Sequence, residues 1–90
     1  MKYNQIAVTA ISDLEASIEV ASMDSEMRRK VLSLLGSVEY QVEEGPCPTA
    51  VLVALQDAII SWLKHLPEPT WRELQNKVEK CFLKIKQTME

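Results

Sequence analysis

Hydrophobic positions recur along this chain at spacings of three and four. The first such stripe is Ala7, Ile11, Leu14, Ile18 and Ala21, within a segment from about residue 4 to 22. A period near 3.6 places those side chains on one side of a helix. The opening "QIAVTAI" is rich in β-branched residues, so a short strand over residues 3–11 is the competing expectation there. "SMDSEM" breaks the pattern, and Ser22 or Asp24 is placed to accept hydrogen bonds from the first amides of a new helix.

That second helix is expected over 25–44, with Met27, Val31, Leu34, Leu35, Val38 and Val42 on its inner side. The period runs through Gly36, which predicts one continuous helix carrying a residue that costs about 1 kcal/mol relative to alanine. Gly45 and Pro46 supply the stop. A third helix, 49–66, differs in kind. Val51, Leu52, Val53, Leu55, Ile59, Ile60, Trp62, Leu63 and Leu66 cover most of its circumference, leaving Asp57, Ser61, Lys64 and His65 as a narrow polar stripe. A helix this apolar wants neighbours on several sides. The fourth, 70–88, is amphipathic, with Trp71, Leu74, Val78, Cys81, Phe82, Ile85 and Met89 in a heptad-like seam.

Two similar stretches, "PCPTAVLVALQ" and "PEPTWRELQ", precede the third and fourth helices. They read as helix punctuation, not as a ligand motif. In the second, Thr70 and Glu73 have capping-box spacing, so the threonine hydroxyl is expected to accept from the Glu73 amide. In the first, Leu52 occupies the equivalent place, so Pro48 as first helical residue or Thr49 as a lone cap makes a weaker start. The pattern as a whole predicts an all-α single small domain, residues 1–90, of about four helices packed as an antiparallel bundle or as stacked helical hairpins.

Composition changes this picture little. Ninety residues with 47% hydrophobic and 26% charged side chains and only two glycines suit one small helical core. Residues 1–45 carry four basic and eight acidic side chains, a balance of −4, and residues 46–90 carry six and five, a balance of +1. That weak asymmetry disfavours general nucleic-acid binding. No apolar run approaches the length of a membrane span, and a cytoplasmic location is the default expectation. Cys47 and Cys81 lack disulfide-scaffold or zinc spacing and read as free thiols, with a disulfide between the two as the alternative that sequence leaves open.

Candidate chemistry is sparse. Asp57, Ser61 and His65 share a helix face, but the serine stands between the other two, which is the wrong order for a hydrolytic triad. No metal-ligand or cofactor motif is present, so no cofactor, metal or small-molecule substrate is implied. Lys77, Lys80 and Lys84 fall on one face of the fourth helix and offer a docking surface to an acidic partner, including the acidic N-terminal half of another copy. Arg28, Arg29 and Lys30 read as a solvated patch.

The stretch "ISWLKHLPEPTWRELQNKV" looks locally like the end of a death-fold domain. That fold packs several short helices where residues 1–45 here read as two long ones, so neither its architecture nor its role is carried over. In size and acidity the chain is similar to secretion-system chaperones and to small inhibitors that act by binding. The expected function is a non-enzymatic protein–protein interaction module, an adaptor, chaperone or inhibitor, with self-association through the third or fourth helix as its nearest form. The partner surface is expected at Trp62, Trp71, Ile59, Leu63 and Leu66, with Lys77, Lys80 and Lys84. A helix-turn-helix regulator of nucleic acid is the alternative and a small enzyme the third.

Overall fold

Each hydrophobic stripe becomes the inner face of a helix in the computed structural model, which describes residues 5–44 and 48–89. Helix α1 spans Gln5–Val20, α2 Ser25–Glu44, α3 Thr49–Leu63 and α4 Thr70–Met89. The Gly45 and Pro46 stop and Cys47 lie outside the described residues, as does the side chain of Met89.

The β-branched start is helical from Gln5 onward, so the strand alternative fails there; residues 3 and 4 lie outside the described residues. Ala7, Ala10, Ile11, Leu14 and Ile18 are buried on α1, and helical burial of that stripe outweighs the local preference of Val8 and Ile11 for extended chain. Helix α2 is capped by Asp24, the residue before its start, whose Oδ1 accepts from the Met27 amide at 2.7 Å. It runs unbroken through Gly36, where Val31, Leu35, Val38 and Val42 are buried on one side.

Arg28 departs from expectation. It is partly buried, and its guanidinium donates to the carbonyls of Ile18, Ala21 and Met23. Those acceptors belong to the end of α1 and the turn after it, where helical carbonyls lack intrahelical donors. Helix α1 has no basic residue in its own last turn, so the cation that suits its dipole comes from α2.

The two proline joints also differ from the sequence expectation. At α3, Pro48 occupies the N-cap position without a side-chain hydrogen bond, its carbonyl accepting from the amides of Val51 and Leu52. Thr49 is therefore inside the helix. At α4 the reciprocal cap does not form: the Glu73 amide donates to the Pro69 carbonyl at 3.1 Å, and the Trp71 amide to Pro67 at 3.3 Å. The Pro69 carbonyl thus takes the one amide, that of Glu73, that the Thr70 hydroxyl was expected to serve. The joint is braced instead by Arg72 Nε on Glu68 Oε2 at 2.9 Å. Helix α3 ends three residues early, at Leu63, and the Lys64, His65 and Leu66 amides close the turn onto Ile60, Trp62 and Leu63.

Helix α1 packs on α2 and α4, and α3 packs on α2 and α4. A 20-residue helix is about 30 Å long, and the molecule measures 37 × 20 × 17 Å. The two long helices therefore lie along its length, and the short connections make consecutive helices antiparallel. The result is an all-α four-helix bundle with ring order α1, α2, α3, α4. Phe82 is the largest fully buried side chain, packed within one core with Ile11, Ile18, Leu35, Leu52, Ile59, Leu63 and Ile85.

Candidate partner-binding surfaces

Ile59 and Leu63 are fully buried on α3 beside Leu52. They are core residues and drop out of the expected partner surface, because the neighbouring helices already cover the face they share. Trp62 and Leu66 lie on the flank of that face and are half-buried against the core. Val51 and Val53 remain 39% exposed, and Ala50 and Ala54 are exposed beside them. Neighbours on several sides were expected around this helix; it packs mainly on α2 and α4, and the outer surface of its N-terminal half stays exposed.

Trp62 lines an open groove of about 540 Å³ along the seam between α2 and α3, with Glu26, Arg29, Lys30, Ser33, Leu34 and Ser37. A second depression of about 380 Å³ continues past Trp62 to Asp24, Met27 and His65. The apolar floor follows from the periodicity: Met27 and Leu34 are on the edge of the α2 stripe and only partly buried. The cations follow from the same period, since Arg29 and Lys30 fall on the turn between them. An indole, an aliphatic side chain and two cations around an open groove are suited to holding a peptide or helix, with aromatic and arginine contacts supplying most of the affinity.

Lys77, Lys80 and Lys84 are exposed, and they line a different seam, between α4 and α1. Ala10, Asp13, Leu14, Ser17 and Cys81 complete a recess there of about 230 Å³. Lys77 Nζ donates to Ser17 Oγ at 3.4 Å, and that hydroxyl donates to the Asp13 carbonyl at 3.3 Å. Cys81 is a free thiol, 6% exposed. Burial pushes its pKa up to about 12, with Asp13 and Glu15 adding to the rise and Lys84 opposing it. A thiol so protonated is no nucleophile.

In a four-membered ring of helices the α2–α3 and α1–α4 seams lie on opposite sides, so the expected aromatic and basic groups form two surfaces and not one. Trp71 belongs to neither. It is half-buried at the start of α4, with the Arg72 guanidinium 4.8 Å from its ring centre. Asp57, Ser61 and His65 are all exposed. Among the described residues no group of three or more His, Cys, Asp or Glu side chains is placed to hold a metal ion, and no helix is long and apolar enough to cross a membrane.

Sequence reasoning did not single out Arg29, Lys30 or Leu34 as groove residues. The signal was present, in that Leu34 adjoins Leu35 and only one of them can face the core. Identifying the cover for the other required knowing which helix lies alongside. No protein-family model matches this chain, and neither a curated protein nor a solved structure does so.

Proposed function

We propose that this chain is a non-enzymatic protein-binding module, serving as an adaptor, chaperone or inhibitor, and that the α2–α3 groove is its principal site. The observation that carries the reading is Trp62, half-buried in an open groove beside Leu34 and flanked by Arg29 and Lys30. Its occupant is an amphipathic helical segment of another protein, with an apolar side chain against the indole and carboxylates towards the two cations. Burial of an aromatic anchor supplies the affinity and the charges set the register. The free thiol of Cys81 suits a reducing compartment, and we place the protein in the cytoplasm on that ground.

The test is affinity capture from native cell extract with three immobilised baits: the wild-type chain, Trp62→Ala and Arg29→Glu. A partner held by the wild type and lost from both variants, with their helical circular dichroism unchanged, supports the reading. A partner retained by both variants would remove the groove from it.

A further inference from the structure

We draw no further inference here: the strongest candidate, the recess between α1 and α4 lined by Lys77, Lys80 and Lys84, also holds the exposed carboxylate of Asp13, and nothing in the structure shows what covers it.

Discussion

Arg28 Nη2 donates to the carbonyl oxygen of Ala21 at 2.8 Å, across the turn that joins α1 to α2. With its further contacts to Ile18 and Met23, the side chain satisfies the end of one helix from the first turn of the next. Charged hydrogen bonds to partly buried acceptors contribute more than neutral ones. Arg28→Ala should therefore lower unfolding free energy by roughly 1 to 3 kcal/mol in urea titration, while Arg29→Ala, one residue on and exposed, should change it by less than about 0.5 kcal/mol.

Gly36 offers the opposite opportunity. It lies in the middle of α2, and a Cβ built on it meets nothing within 4 Å. Alanine there reduces the backbone freedom of the unfolded chain without a clash in the folded one. Gly36→Ala should raise stability by about 0.5 to 1 kcal/mol, read as a higher denaturation midpoint at unchanged slope.

The two large aromatic positions of α4 should respond differently to truncation. Phe82 is fully buried, so Phe82→Ala should cost roughly 3 to 5 kcal/mol. Trp71 is half-buried, with the Arg72 guanidinium over its ring, and Trp71→Ala should cost less than half as much. Thr70→Ala should cost well under the roughly 1 kcal/mol of a lost cap, because the Glu73 amide is already bound to Pro69. Equal losses at Phe82 and Trp71 in thermal denaturation would contradict this assignment.

Cys81 should be silent towards thiol reagents while the bundle is folded. Its pKa of about 12 leaves it on the order of a thousandfold less thiolate than an ordinary cysteine at mildly alkaline pH, and the side chain is nearly inaccessible. In a Cys47→Ser chain, Ellman's reagent at pH 8 should label nothing until denaturant is added, then one thiol per chain. Rapid labelling without denaturant would show that the α1–α4 seam opens.

Glu15 predicts a pH dependence with a definite sign. Burial, then Glu39 and Glu19, raise its pKa in the folded protein, so folding favours the protonated carboxyl. Its contribution is fully present below the unfolded pKa and is lost as pH rises through the higher folded value. Glu15→Gln should therefore stabilise the folded chain at neutral pH relative to wild type. The difference should shrink towards pH 4 and vanish below it, as followed by urea midpoints across that range.

The element map was legible because helical burial leaves a period in the chain. Ile11, Leu14 and Ile18 on α1, and Leu74, Val78, Cys81 and Ile85 on α4, are spaced as the core requires, and all are buried. An N-cap at Ser22 or Asp24 was legible because a short acceptor before a periodic run has few other uses, and the structure selects Asp24. The proline joints were less so. A hydroxyl three residues before a carboxylate states what can bond, but competition from the Pro67 and Pro69 carbonyls depends on backbone dihedrals that no residue pattern records.

What the sequence by itself determined is the number of helices, the inward faces of α1, α2 and α4 and the all-α class, since each follows from spacing within one segment. Tertiary structure decided everything that depends on which segments are neighbours. It assigned Ile59 and Leu63 to the core and left Trp62 at a groove, because α3 packs mainly on α2 and α4. It also separated the lysines of α4 from the tryptophan of α3 and set them across α1 from Glu15 and Glu19. Periodicity reports how far a residue turns around its own helix axis; only packing determines what stands on each side.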